Sequence, residues 1–239
     1  MPLKIDLHVH TCYSKDSIIT LESLLAHIRK NGLDGVAITD HNTVKGALRI
    51  VKVVREAGKK PIVIPGIEVS TETGGHILGI NVTTPIPRKL SIEETVERIH
   101  EAGGLAVAAH PETLFKSRIG LSKKMLSSGL DAIEVVNSSL FPFKFLTQKC
   151  KRFADYHNLP QTAGSDSHIP EAIGLAYTII DSDEEGLDNI IESIKRGLTI
   201  PTGRSMPLPL RIKDFIGKHW KSKASSQKLG EEAEEYPQN

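Results

Sequence analysis

Short apolar segments alternate with amphipathic segments along most of the chain. GVAITDH and GLAVAAHP are apolar almost to their last residues, which is typical of parallel strands that are buried on both faces. Between such strands, apolar residues recur at helical spacing. The predicted helices span residues 21–32, 43–57, 91–102, 143–157 and 184–196. Strands and helices that alternate over this many units predict parallel βα units in a closed or nearly closed barrel.

The first predicted strand, LKIDLHVH, alternates apolar and polar residues. Because side chains of a strand repeat every two residues, Asp6, His8 and His10 are expected on one face. Two imidazoles that converge on one point suggest a metal ion. A pair of hydrogen-bonded polar histidines is the alternative at this point.

Histidines and carboxylates recur where predicted strands end. These residues are His8 and His10, Asp40 and His41, Glu68, His76 at the start of the next strand, His110, Glu134 with Asn137, and Asp166 and His168. In parallel α/β barrels, functional residues gather at the C-terminal ends of the strands, where the following loops converge. Imidazole and carboxylate groups are the usual ligands of first-row metals. The pattern therefore predicts a metal site at this end of the barrel.

Two of these segments carry further information. Glu68 lies in an otherwise apolar strand, and a buried carboxylate needs a cation, which one metal or two bridged metals would supply. Asp166 and His168 repeat the one-residue separation of the first strand, and Gly164 lets the backbone approach closely.

Composition narrows the setting. The chain has 239 residues and a formal net charge of +1, so a nucleic-acid coat or a membrane surface is not favoured as a partner. No signal peptide or transmembrane segment is visible, and Cys12 and Cys150 are the only cysteines, so we expect a cytoplasmic protein. From residue 201 the alternation fades. We expect a barrel over 1–200, a proline-rich segment that wraps it over 201–219, and a mobile polar tail over 220–239.

Seven motifs in a fixed order resemble the PHP (polymerase and histidinol phosphatase) family. They are DLHVHTCYSKDS, ITDH, GIEVS, GHILG, AHP, IEVVNS and GSDSH. The resemblance implies an α/β fold, a distorted TIM-like (β/α)7 barrel, that holds two or three divalent metal ions, with Zn, Mn or Fe as candidates. It implies three ligand sets: His8, His10, Glu68 and Asp166; Glu68, His76 and His110; and Asp16, His41 and His168.

The resemblance also implies a chemistry. Three divalent ions exceed the charge of Asp16, Glu68 and Asp166, so the pocket would attract a phosphate. We expect phosphoester hydrolysis by a hydroxide that bridges two metals, with Asp40 orienting His41 or relaying a proton. A helix N-cap role is the alternative for Asp40.

The substrate is left open between a small phosphorylated metabolite, a nucleotide and a short oligonucleotide. Histidinol-phosphate phosphatase activity is an alternative, and so is a non-catalytic barrel within an RNA-processing complex; the complete ligand set favours catalysis. The sequence leaves the oligomeric state open.

Substrate contacts are predicted at Arg118, Asn137 and Arg204. Solvated loop charge is the alternative for the arginines, and a turn cap is the alternative for Asn137. The segment SSLFPFKFLTQKCKRF could bind single-stranded nucleic acid, but Phe145, Leu146, Cys150, Phe153 and Ala154 form a helical stripe suited to packing. Only Phe141 and Phe143 are expected to be able to stack on a base.

Overall fold

One sheet of nine strands carries the fold in the part of the chain that the structure describes. The computed structural model describes residues 2–58, 60–113, 119–182 and 184–235, with side chains as far as Lys221. The strands are β1 (Pro2–Val9), β2 (Gly35–Ile38), β3 (Ile62–Ser70), β4 (His76–Ile80), β5 (Leu105–Ala109), β6 (Ala132–Asn137), β7 (Gln161–Gly164), β8 (Ala176–Asp181) and β9 (Thr199–Gly203). The helices are α1 (Leu21–Lys30), α2 (Lys45–Glu56), α3 (Ile92–Glu101), α4 (Lys123–Ser127), α5 (Phe143–His157), α6 (Leu187–Lys195) and α7 (Leu208–Glu235), with a 3₁₀ turn at Pro170–Ala172.

The strands are hydrogen-bonded in the order β7-β6-β5-β4-β3-β2-β1-β8-β9. β4 is antiparallel to β3 and β5, and β8 is antiparallel to β1 and β9, while the remaining neighbours are parallel. All strands except β4 and β8 therefore end on the same side of the sheet. Contacts between β7 and β1 nearly close the sheet, since His10 N–H donates to Ser167 O at 3.0 Å. The predicted α/β barrel of mostly parallel strands is confirmed.

The barrel interior is apolar at the other end. Leu3, Ile5 and Leu7 of β1 pack there with buried side chains of the neighbouring strands, such as Leu78 and Leu105. Burial of each of these side chains contributes about 1.5–3 kcal/mol. The apolar side chains thus fill the barrel interior at the end opposite to the predicted ligands.

The alternation of β1 changes phase near its end. The pairing of β1 with β2 shifts register between Asp6 and Val9, and Val9 packs outside the barrel against α1 and α2. Asp6 does not share the environment of His8 and His10: its carboxylate accepts N–H donors from Ser165 at 2.8 Å and Gly174 at 2.9 Å. The expectation of one shared polar face was wrong for Asp6, because a bulge adds a residue to one strand and turns the side chains that follow.

Helices α1 and α3 begin at capping residues and bury one face. In α1, the Thr20 hydroxyl accepts from Ser23 N–H and the Ser23 hydroxyl accepts from Thr20 N–H, and α3 begins with the same arrangement. Leu24 and Ile28 of α1 are buried at a spacing of four residues. The five predicted helices are present, each with ends within three residues of the expected bounds.

Helix α5 corrects the expectation for the phenylalanines. Leu146, Cys150 and Ala154 are buried as expected, but Phe145 is 62% exposed. Phe143 instead packs against the buried cluster beside β6. The true apolar stripe therefore runs through position 143 rather than position 145.

The last part of the chain is more regular than the sequence indicated. Residues 201–219 contain the end of β9 and the first turns of α7, which continues to Glu235. The division of the chain at residues 200 and 219 stays a prediction. No helix within the described ranges is long and apolar enough to cross a membrane.

Candidate metal centre

The predicted ligands come together at the C-terminal end of the barrel. Within the described part of the chain, four overlapping groups of three residues have ligand atoms within 4.8 Å of one another. The groups are His8, His10 and Asp166; His8, Glu68 and His110; His41, Glu68 and His76; and His10, His41 and His168. Asp16, the ninth predicted ligand, lies beside the last group.

Glu68 is the centre of this arrangement and is fully buried. Its Oε2 lies 2.9 Å from His41 Nδ1 and 3.3 Å from His10 Nε2. Its Oε1 lies 2.9 Å from His76 Nδ1 and 3.1 Å from His110 Nε2. Oε2 also lies 3.6 Å from His8 Nε2. Each carboxylate oxygen therefore faces a different set of imidazoles, an arrangement suited to a carboxylate shared by two cations.

Asp166 faces the histidines of β1. Its Oδ1 lies 3.4 Å from His10 Nε2 and 3.6 Å from His8 Nε2, and its Oδ2 accepts from the Ser139 hydroxyl at 2.6 Å. A Cβ added at Gly164 would lie 2.3 Å from His8 Cβ, so glycine permits the close approach that the sequence predicted.

Asp16 lies at the outer edge. Its Oδ2 is 3.3 Å from His168 Nε2 and 3.5 Å from His41 Nε2. His41 faces Asp16 with one ring nitrogen and Glu68 with the other, so it joins the third predicted ligand set to the first two.

The charged groups of the centre shift one another's pKa values. Burial raises the pKa of Glu68, but His41, His76 and His8 hold the pKa of this carboxyl well below its usual range. Burial, reinforced by the charges of His168 and His41, holds the pKa of His10 well below its usual range. A neutral imidazole beside an ionised carboxylate is the protonation state in which both bind a cation.

Buried polar atoms test whether a metal ion fits. Among the described side chains, the buried atoms without a hydrogen-bond partner include Asp16 Oδ1, His41 Nδ1, Glu68 Oε2, His76 Nδ1 and His168 Nε2. His41 Nδ1 and Glu68 Oε2 are 2.9 Å apart yet lack hydrogen-bond geometry. Two ligands of one tetrahedral cation lie about 3.4 Å apart, near the separations found here. The donor set therefore fits divalent ions.

Glu134 supports two of the ligands and was given no role from the sequence. Its Oε1 lies 3.0 Å from His8 Nδ1, and its Oε2 accepts from His110 N–H at 2.8 Å and from the Asn137 amide at 3.0 Å. A proton on His8 Nδ1 would be donated to Glu134 and would leave Nε2 free as a ligand atom. The strand-end position was the signal that could have assigned this role.

Two predicted ligands occupy strained backbone. His110 has φ 27° and Asp166 has φ 53°, in the left-handed region that residues other than glycine rarely adopt. Strain of this kind persists where the surrounding structure fixes it and is frequent at functional sites.

Asp40 holds the turn that follows β1. Its Oδ1 accepts from Thr11 N–H at 2.6 Å and its Oδ2 accepts from the Thr11 hydroxyl at 2.7 Å. Burial raises the pKa of Asp40. The N-cap alternative was wrong, since α2 is preceded by Val44 and has no side-chain cap; the catalytic role stays a prediction.

The predicted substrate contacts have different outcomes. Asn137 is fully buried, and its side-chain oxygen Oδ1 accepts from Ser139 N–H at 2.9 Å. Asn137 therefore caps a turn, as the alternative had it. Arg204 is exposed just after β9, on the same side of the barrel as the centre. Arg118 lies outside the described residues.

Helix α7 supplies a residue that the sequence did not single out. A Cβ added at Gly217 would lie 3.7 Å from Ile169 and 3.9 Å from Ile18. Helix α7 therefore passes over the segments that contain His168 and Asp16. Lys218 Nζ lies 3.0 Å from Asp214, and the lysine side chain is only 25% exposed. Burial lowers the pKa of Lys218, but Asp166, Asp214 and Asp16 raise it overall, as expected for a cation beside the centre.

Comparison with known protein families identifies the family of the chain. The family model described as PHP domain matches residues 6–223. The chain belongs to the PHP family. Membership confirms the resemblance on which the expectation of a metal-dependent hydrolase of phosphate esters rests.

The PHP chain has relatives with and without assigned activities. The uncharacterised protein MJ1587 of Methanocaldococcus jannaschii is 38% identical over 146 residues, which cover 57% of this chain and 82% of that protein. The 5′-3′ exoribonuclease Rnm of Salmonella typhimurium is 31% identical over 112 residues, 45% of this chain and 37% of the enzyme. The phosphoribosyl 1,2-cyclic phosphate 1,2-diphosphodiesterase of Eggerthella lenta is 36% identical over 103 residues, 40% of this chain and 37% of the enzyme. The matches therefore span little more than a third of either enzyme.

A solved structure supports the fold of the PHP chain. The crystal structure of a two-domain protein of Bacteroides vulgatus, which contains a predicted PHP-like metal-dependent phosphoesterase, superposes with a TM-score of 0.70 at 18% identity. The superposition covers 91% of this chain and 70% of that protein.

Proposed function

We propose that this PHP chain is a metal-dependent phosphoesterase that hydrolyses nucleotides or short oligonucleotides. The observation that carries the proposal is Glu68, a fully buried carboxylate whose two oxygens face five imidazoles. A buried group of this kind is stable only with compensating cations, and divalent ions match its donors.

The ligand sets divide the centre into two or three ion sites. His8, His10, Glu68 and Asp166 would hold one ion, Glu68 with His76 and His110 a second, and Asp16 with His41 and His168 a third. When bound, the ions activate water for in-line attack on phosphorus and stabilise the charge on the phosphoryl oxygens.

The side chains of the protein hold this centre in place. Glu134 fixes the orientation of His8 and the backbone of His110, and Ser139 holds Asp166. Asp40 fixes Thr11 and so the turn that carries Asp16, and the expected orientation of His41 or proton relay by Asp40 stays part of the proposal. Lys218, and Arg204 on the same side of the barrel, would bind phosphate oxygens.

The substrate class follows from two relatives. The names of the exoribonuclease and the phosphoribosyl phosphodiesterase both indicate phosphate esters of ribose compounds, so we place this chain with enzymes of that class. A non-catalytic barrel would have no need for nine retained ligands.

The test is hydrolysis by the purified protein with Mn²⁺ or Zn²⁺. Adenosine 5′-phosphate, short 5′-phosphorylated RNA, ribose 5-phosphate and histidinol phosphate form the substrate panel. We expect turnover of the ribose compounds, lost in Asp166→Ala. Turnover of histidinol phosphate alone would assign the alternative activity, and no turnover with either metal would contradict the proposal.

A further inference from the structure

The loop between β6 and α5, residues 138–142, reaches from the metal centre to the surface. At its inner end the Ser139 hydroxyl donates to Asp166 Oδ2 at 2.6 Å. At its outer end Phe141 is 66% exposed. Two residues of chain span about 7 Å at most, so the backbone of Phe141 lies close to the side chain that touches a predicted ligand.

The ring of Phe141 is held from one side. The Arg211 guanidinium of α7 lies 5.7 Å from the ring centroid, a cation–π distance. The same guanidinium donates to Ser139 O at 2.7 Å, to Leu140 O at 2.9 Å and to Ser138 O at 3.1 Å. Arg211 therefore holds the loop, while a large apolar ring stays exposed two residues from the side chain that contacts Asp166.

Two nearby rings show that this arrangement is specific. Phe143 is packed against the buried cluster beside β6. Phe145 is exposed to a similar degree, 62%, but belongs to α5 rather than to the loop that contacts Asp166. Phe141 alone of these three combines exposure with a braced loop that contacts the centre.

We propose that Phe141 is the stacking platform for the base of a nucleotide whose phosphate lies at the metal centre. The inference rests on the proposed function and adds the residue that would bind the base. Arg211 is a positioning residue that holds the loop and the ring. A flat base covers the exposed ring face, and such stacking is tolerant of base identity, because every base presents a π-face.

The test compares Phe141→Ala with the matched variant Phe145→Ala. For each, kcat/KM is measured with adenosine 5′-phosphate and with ribose 5-phosphate, which has the phosphate and the sugar but no base. We expect Phe141→Ala to lower the kcat/KM for adenosine 5′-phosphate, relative to that for ribose 5-phosphate, roughly 5- to 150-fold. Phe145→Ala should leave both values unchanged, and Phe141→Trp should restore the ratio. Metal content is measured in every variant, and we expect it unchanged.

An equal loss of kcat/KM on both substrates in Phe141→Ala would overturn the inference, because it indicates a structural role for the loop. Unchanged kcat/KM on both substrates would overturn it as well. Calorimetric binding of adenosine 5′-phosphate and ribose 5-phosphate to the manganese-loaded protein keeps the two proposals apart. A protein without turnover that still loses preferential nucleotide binding in Phe141→Ala contradicts the proposed function and supports the base site. Equal binding of both compounds by the unsubstituted protein contradicts the base site.

Discussion

Replacement of Glu134 by glutamine tests how the protein prepares the metal ligands. The substitution keeps the shape of the side chain but replaces one accepting oxygen by an NH₂ group. His110 N–H and the Asn137 amide both donate to Oε2, so the remaining oxygen of glutamine is held there. The NH₂ group then faces His8 Nδ1 at the 3.0 Å separation seen for Oε1.

Two donors cannot share that contact. His8 must either lose the hydrogen bond or move its proton to Nε2, the nitrogen that lies 3.6 Å from both Glu68 and Asp166. A protonated nitrogen cannot bind a cation. Loss of a carboxylate partner of a metal-binding histidine lowers metal affinity about 10- to 100-fold, which is about 1.4–2.8 kcal/mol.

The assay is a competition titration of the metal-free protein against a chromophoric chelator. Asp131→Asn is the matched control, since Asp131 also accepts from a histidine ring, His100 at 2.8 Å, and from a backbone N–H, Ala106 at 2.7 Å, away from the centre. We expect weaker metal binding in Glu134→Gln only. Equal metal affinity in Glu134→Gln and the unsubstituted protein would contradict a role for Glu134 in preparing His8 as a ligand.

Three further changes test other parts of the centre. Asp16→Ala should remove the third ion while the others stay bound, seen as a lower metal count by elemental analysis; an unchanged count would contradict the third site. Lys218→Gln should lower kcat/KM for phosphate esters roughly 10- to 100-fold with unchanged metal content, while Lys213→Gln, on the same helix, should not; equal effects would contradict a phosphate contact. Burial raises the pKa of Asp6 from 3.8 to about 6, so its contribution to stability is complete below pH 3.8 and is lost as pH rises through about 6. Over that range the free energy of unfolding of the metal-free protein should fall by about 3 kcal/mol more than that of Asp6→Asn; parallel curves would contradict the shift.

The barrel and the ligand positions could be predicted because both depend on local signals. Apolar runs separated by amphipathic helices fix the alternation of strand and helix, and the barrel then brings the strand ends together. Glu68 could be identified because a charged residue in an apolar strand needs a compensating partner. The sequence order of the motifs made the assignment of the remaining ligands specific.

Other features depend on contacts that no local pattern contains. The bulge in β1 separates Asp6 from His8 although both follow the same alternation. In α5, Phe143 packs against the buried cluster while Phe145, two residues further on, is exposed, and both residues are equally apolar in the sequence. The charge of Lys218 acts on Asp166 and Asp16 only because α7 returns across the distant segments that contain Ile18 and Ile169.

We propose that nine side chains at the barrel mouth hold the divalent ions needed for phosphoester hydrolysis. The most direct measurement is the number of ions per chain in the purified protein and in Glu68→Gln, determined together with hydrolysis of adenosine 5′-phosphate. We expect two or three ions per chain in the unsubstituted protein. In Glu68→Gln we expect the loss of the bound ions and of the activity. Full activity in a variant that has lost its ions would contradict the proposal.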